Sequence, residues 1–300
     1  MTLALVIDTD VALGVLHEGR PGDIDDGFAI VEALNIADID LRAITTVYGN
    51  APLADVDRVA RELIELKHSD VPVWRGASVA LPQKGAVPPP NEAVVRLAEL
   101  LRRQRLTIAA IGPLTNIALL VHHFPDCAAN IDEMIVVAGR SPNRRFYIGD
   151  IGPVQDFNFE NDVRAMAMLL EAQIPMVLAG FELTSQVVIT DVDLATIEAR
   201  GTDTARYLYR NSLAWFRHWT QQFPTERGFH PWDSAAIAWL THRELFTAQP
   251  RRVRILPPDG KRPHWLECDV DGSGPRVIYC TGFVPGGAET FVAEIVGNVY

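Results

Sequence analysis

Residues 5–34 read LVIDTDVALGVLHEGRPGDIDDGFAIVEAL. An apolar run, Leu3–Ile7, ends in acid, and a second one, Gly27–Leu34, begins where more acid stops. The first has the make-up of a buried strand and the second has helical spacing. Between them stand Asp8, Asp10, Asp23, Asp25 and Asp26, with only His17 and Arg20 as basic company. Like charges repel, so the crowd is either solvated and idle or gathered around something positive. Strand, acidic loop, helix is the start of a β–α–β unit, and that reading decides the fold.

The rhythm continues outward. LRAITTVYG (41–49) is a second strand. APLADVDRVARELIELKH (51–68) is an amphipathic helix, with Leu53, Val56, Val59, Ala60, Leu63 and Leu66 on one side. VPVW, LTIAAIG, IDEMIVVAG and IPMVLAGF read as further strands, interleaved with helices at 92–104, 113–123 and 161–172. A Pro-rich loop occupies 81–90. From 188 to 245 the pattern is mostly helical, and the tail returns to strand-like RVRIL and RVIYC. Strands apolar throughout, separated by helices, predict an α/β fold: a mainly parallel, Rossmann-like sheet flanked by helices. Nothing divides residues 1–300, so one domain is expected. In such sheets ligands bind at the carboxyl ends of the strands, where Asp8, Asp10, Asn50, Gly112–Asn116 and Gly139 all fall.

The formal charge of −11 argues against a nucleic-acid partner and disfavours phosphate-rich substrates unless a metal or an Arg cluster intervenes. Cys127, Cys268 and Cys280 have no CxxC spacing and read as reduced thiols of a cytoplasmic protein. MTLALVIDTD has no basic leader and reads as a first strand rather than a signal peptide. No apolar run approaches the roughly 20 residues of a membrane helix. Carboxylates at a strand end with few counterions point to a hard cation such as calcium or magnesium, and no Cys/His set has zinc spacing. A cation lowers the pKa of a water it holds, and a neighbouring carboxylate takes the proton.

IDTD…PGDIDDGFAI resembles the DxDPGxDD signature of the nucleoside hydrolases. AITTVYGN (43–50) resembles that family's second-strand motif, AAIGPLTNIAL (109–119) its GPLTN segment, and VQDFNFENDVRAM (154–166) its EFN…DPEAA segment. PWDSAAIAWL (231–240) is similar to its late aspartate followed by a small apolar helix. The resemblance implies an active site at the strand ends of an α/β sheet. It also implies calcium-dependent hydrolysis of the N-glycosidic bond of a ribonucleoside, with free base and ribose as products, in a homodimer or homotetramer.

Carried over residue by residue, the resemblance makes Asp10 a metal ligand and the general base, and Asp8 its partner in the same turn. Asp26, Asp233 and the backbone carbonyl of Ile111 complete the implied metal set. Asp25 matches the aspartate that holds ribose hydroxyls, and Asn50 and Asn158 match asparagines near the ribose. Trp232 stands where the purine-specific class has a stacking tryptophan, so a purine or another large aromatic base is expected. His230 is a candidate displaced acid. Trp74, Trp215 and Trp219 are candidates for the opposite stacking face.

The departures define open alternatives. The three residues between the second and third signature aspartates become the run Val11–Ile24, a candidate flap, and Asp23 rivals Asp10 as base or ligand. Met-Gly-Gly becomes Ala138-Gly139-Arg140, and Arg140 either turns outward or recognises an anionic or carbonyl group. Asp156 replaces a Glu, and Asp150 an Asn that contacts ribose. The rival functions are a binder of nucleosides or sugars without turnover, and a magnesium-dependent DxD phosphatase.

Overall fold

The computed structural model describes residues 2–260 and 262–300. Nine strands form one sheet, in the order Trp265–Asp269, Phe246–Leu256, Arg276–Phe283, Met176–Ala179, Ile131–Val136, Leu106–Ala110, Leu3–Thr9, Ile39–Thr46, Val73–Arg75. All pairings are parallel except the two made by Phe246–Leu256. The expected α/β sheet is therefore present, with an antiparallel margin built from the tail.

The first strand lies between Ile39–Thr46 and Leu106–Ala110. The chain steps to one side of it and later returns to the other, so a crevice opens at its carboxyl end. Alternation along this strand sorts the core. Leu5 and Ile7 pack with Phe28, Val56, Ile237 and Phe291 on one face of the sheet. Val6 packs with Leu97, Ile117, Met166 and Ile108 on the other. Both faces are covered, which is why the central strands read as unbroken apolar runs.

The helices fall close to where periodicity places them: Asp25–Asn35, Leu53–Leu66, Glu92–Leu101 and Thr115–His123. The helix expected at 161–172 is in two pieces, Phe157–Asn161 and Val163–Ala172, with the Asp162 side chain capping the second by accepting from Ala165 N. The helical stretch resolves into Asp191–Glu198, Asp203–Gln222 and Ser234–Thr241. Gly287–Asn298 closes the chain.

The run Val11–Ile24 first dives inward, with Val11, Ala12, Leu13 and Val15 buried. It then forms a two-residue hairpin, pairing Leu16 with Pro21 and His17 with Arg20. Glu18 and Gly19 both have positive φ, as the tight turns that match strand twist require. Gly22 N donates to Val15 O at 3.1 Å and closes the excursion.

Candidate active site

The acids converge because two helices begin where the first strand ends. Asp25 and Asp26 lie in the first turn of Asp25–Asn35, and Asp233 immediately precedes Ser234–Thr241. Amide groups of helix starts favour negative charge. Asp233 N donates to Asp25 Oδ2 at 3.0 Å. Asp26 Oδ1 accepts from the Thr9 hydroxyl and from Asp10 N. Asp10 Oδ2 accepts from Asn50 N at 2.7 Å. Asp8 Oδ1 accepts from Asn116 Nδ2 at 2.8 Å and from the Thr45 hydroxyl. Glycine is needed beside this array: a Cβ on Gly49 would lie 1.8 Å from Asp10 Oδ2.

One oxygen of each of three acids stays unpartnered in the interior: Asp8 Oδ2, Asp10 Oδ1 and Asp26 Oδ2. Carboxylate oxygens of Asp25, Asp26 and Asp233 lie within 4.8 Å of one another. Burial pushes Asp8 up to about 7 and Asp26 up to about 6. Burial, and then repulsion from neighbouring acids, holds Asp10, Asp25 and Asp233 well above the ordinary carboxylate range. Ionised together without a counter-charge, this array opposes folding. Free oxygens, closely set acids and no thiol or imidazole among them fit a hard, oxygen-seeking cation.

Beside the acids opens a cavity of about 350 Å³, within the range of small-ligand sites. Asp23, Asp25, Asn50, Asn158, Asp233 and the Ile111 backbone region contribute polar walls. Ile111 O already accepts from Asn158 Nδ2 at 3.0 Å. Asp8, Asp10 and Asp26 lie beneath the walls, fully enclosed. Asp23 is tied through Oδ1 to Ile24 N at 2.7 Å, and burial raises it to about 7.

The remaining wall is aromatic. Trp215, Trp219, Trp232, Phe146, Phe181 and Phe223 line it. Phe146 stacks on Phe181 at 3.9 Å with 10° between planes, and Phe181 lies 5.7 Å from Trp232 at 22°. Trp215 and Trp219, one helical turn apart, are 5.4 Å from each other. The phenylalanines escaped sequence reading because they come from separate segments with no shared motif. Phe181 alone carried a signal, since it follows the carboxyl end of Met176–Ala179.

Several expected residues are placed elsewhere. Asp150 sits exposed on the turn between Ile148 and Ile151, away from the cavity wall. Neither Trp74 nor any residue of 11–22 lines the cavity. His230 packs 4.4 Å from Trp232, behind the wall. Its Nδ1 donates to Val187 O at 2.7 Å, and burial lowers its pKa to about 4, so Nε2 is an acceptor without a proton to give. Arg140 turns inward and is 1 % exposed. Asp156 and Asn158 are both on the wall.

Fold and site together define an α/β enzyme with a carboxylate-rich, cation-ready centre facing an aromatic cavity at the strand ends. The chain belongs to the inosine-uridine preferring nucleoside hydrolase family, N-ribosyl hydrolases whose sequence pattern matches residues 5–270. It is 31% identical over 278 residues to the non-specific ribonucleoside hydrolase RihC of Klebsiella pneumoniae subsp. pneumoniae, covering 85% of this chain and 84% of that protein. It is 32% identical over 277 residues to RihC of Salmonella schwarzengrund, covering 85% and 83%. The solved plant nucleoside hydrolase PpNRh1 superposes with a TM-score of 0.83 at 20% identity, over 100% of this chain and 99% of that one. The purine-preferring ribonucleoside hydrolase of Gardnerella vaginalis superposes with a TM-score of 0.82 at 20% identity, over 99% of each chain. Among the described residues no helix is long and apolar enough to cross a membrane.

Proposed function

We propose that the chain hydrolyses the N-glycosidic bond of a ribonucleoside bearing a purine or another large aromatic base, releasing free base and ribose. The observation that carries this is one cavity with acids and amides on one wall and stacked aromatic rings on another. Asp10 is the general base: Asn50 N fixes Oδ2, and the free Oδ1 takes the proton of the attacking water. Asp8, held by Asn116 and Thr45, supports the turn that presents Asp10.

Asp25, oriented by Asp233 N, accepts hydrogen bonds from ribose hydroxyls, with Asn50 and Asn158 beside it. As the glycosidic bond stretches, positive charge develops on the sugar, and the surrounding carboxylates favour it. The bonding pair leaves with the base, whose π-face rests on Trp232 and its stacked neighbours. His230 supplies no proton in its neutral form, so the departing base takes one from solvent.

Asp10, Asp26, Asp233 and the Ile111 carbonyl would hold calcium, which when bound makes water more acidic and offsets the repulsion among the acids. Asp25 lies close enough to Asp26 and Asp233 to share that shell. The family resemblance supports a homodimer or homotetramer, and three unpaired buried thiols support a cytoplasmic setting.

The test is reducing-sugar release from a panel of ribonucleosides by calcium-loaded protein. Release from purine nucleosides is expected. Calcium-dependent binding of intact nucleoside without release would leave a binder, and phosphate release from phosphomonoesters would instead indicate a phosphatase.

A further inference from the structure

Among the described residues, Arg140 is the largest side chain to be fully enclosed. Its guanidinium lies 3.8 Å from the Phe146 ring centroid and 4.7 Å from that of Trp265. Nη2 is 3.9 Å from Asp156 Oδ2 and 3.7 Å from Glu160 Oε1. Nη1 donates to Arg144 O at 3.5 Å, while Nε and Nη2 have no hydrogen-bond partner. A desolvated cation with unmet donors is poor packing material, and apolar residues of similar volume commonly serve a core as well or better. Stability alone therefore gives no reason for arginine here.

Two of its neighbours, Asp156 and Phe146, stand on the cavity wall. Two of the departures from the family pattern, Arg140 and Asp156, are thus one contact. Asp156 is 4% exposed, and its Oδ2 accepts from Gly139 N at 3.0 Å. Among the described residues no hydrogen bond engages Oδ1.

We propose that Arg140 is a positioning residue that keeps Asp156 in the cavity wall able to ionise, so that its free oxygen takes a charge-assisted hydrogen bond from a sugar hydroxyl of the substrate. This rests on the function proposed above. Burial outweighs every other influence and leaves Asp156 raised to about 7, and Arg140 is the main influence that keeps it from rising further. Glu160 and Glu182 push it the same way as burial, and Tyr279 and Cys268 lie in the same group. Without the guanidinium the carboxyl holds a proton at neutral pH and loses the stronger, charge-assisted bond to a hydroxyl.

The test measures kcat and KM on the best ribonucleoside for Arg140→Met, Asp156→Asn, the double variant and Arg140→Lys, all in calcium-loaded full-length protein. Arg140→Met and Asp156→Asn should each raise KM roughly tenfold or more, with kcat within about threefold of wild type. The double variant should be no worse than Asp156→Asn, and Arg140→Lys should recover most of the loss. Additive effects in the double variant, or a lysine variant as damaged as the methionine one, overturn the proposal. If Arg140→Met fails to fold by circular dichroism, the double variant, which removes both charges, and the lysine variant still decide. If wild-type protein releases sugar from no ribonucleoside, the proposed function fails. The same variants, read by calorimetry as Kd for inosine, then decide the role of Arg140 alone.

Discussion

A base that strips a proton from water needs one oxygen held still and one left free, and Asp10 has both. Asp10→Asn should lower kcat by about 10²–10⁴-fold while leaving the melting temperature unchanged or higher, since one repelling acid is gone. Near-normal turnover in that variant would hand the role to Asp23. Glu32 offers a test of burial outside the mechanism. Its Oε1 accepts from the Ser234 hydroxyl, and burial raises its pKa from 4.5 to about 8. Folded protein keeps this proton up to about pH 8, whereas unfolded chain sheds it near 4.5. Stability therefore falls as pH rises across that window, by at most about 1.4 kcal/mol per unit. Glu32→Gln escapes the fall, so its melting-temperature advantage over wild type should widen from pH 5 to 8. A gap that stays constant over that range would contradict the assignment. At this scale the aspartates and GPLTN were legible because their chemistry is packed into short motifs. The inward turn of Arg140 was not, because its partners Asp156 and Trp265 meet it only in the folded chain.

Helices were read well where one face is apolar, as in Leu53–Leu66, whose expected stripe is the buried one apart from its last residue, Leu66. The tail was harder. Trp265–Asp269 is short and is recruited by pairing with Phe246–Leu256, and Gly287–Asn298 mixes small and apolar residues without a sharp stripe. The helix Asp203–Gln222 brings Trp215 and Trp219 to the cavity, so two of the three indoles offered as a second stacking face are wall residues. Stacking of a base on an aromatic side chain is worth about 1–3 kcal/mol. Trp232→Ala should therefore raise KM for purine nucleosides by about 10–100-fold, and Trp232→Phe by much less. Equal KM values for the alanine variant and wild type would remove Trp232 from base recognition.

The whole molecule is arranged around a charge problem. The sheet's switch point and two helix starts bring Asp25, Asp26 and Asp233 together, and the group holds three carboxylates with no imidazole among the described residues. Chelation should accordingly lower the melting temperature, and calcium should restore it. At 100 times its Kd, the ion stabilises the fold by about 2.7 kcal/mol. A melting curve indifferent to calcium would mean that the acids hold no such ion. This level of organisation was visible in outline, because a parallel sheet dictates which edge carries ligands. The destination of the insertion was not, since its length said nothing about which way it would turn.

The hairpin at Leu16–Pro21 leaves and re-enters the body through neighbouring residues, with its Glu18–Gly19 tip away from the cavity lining. Solvent-facing tips of this kind tolerate added chain. It is accordingly a natural address for a fluorophore, an epitope or an immobilising tether that reports on the catalyst without entering its chamber.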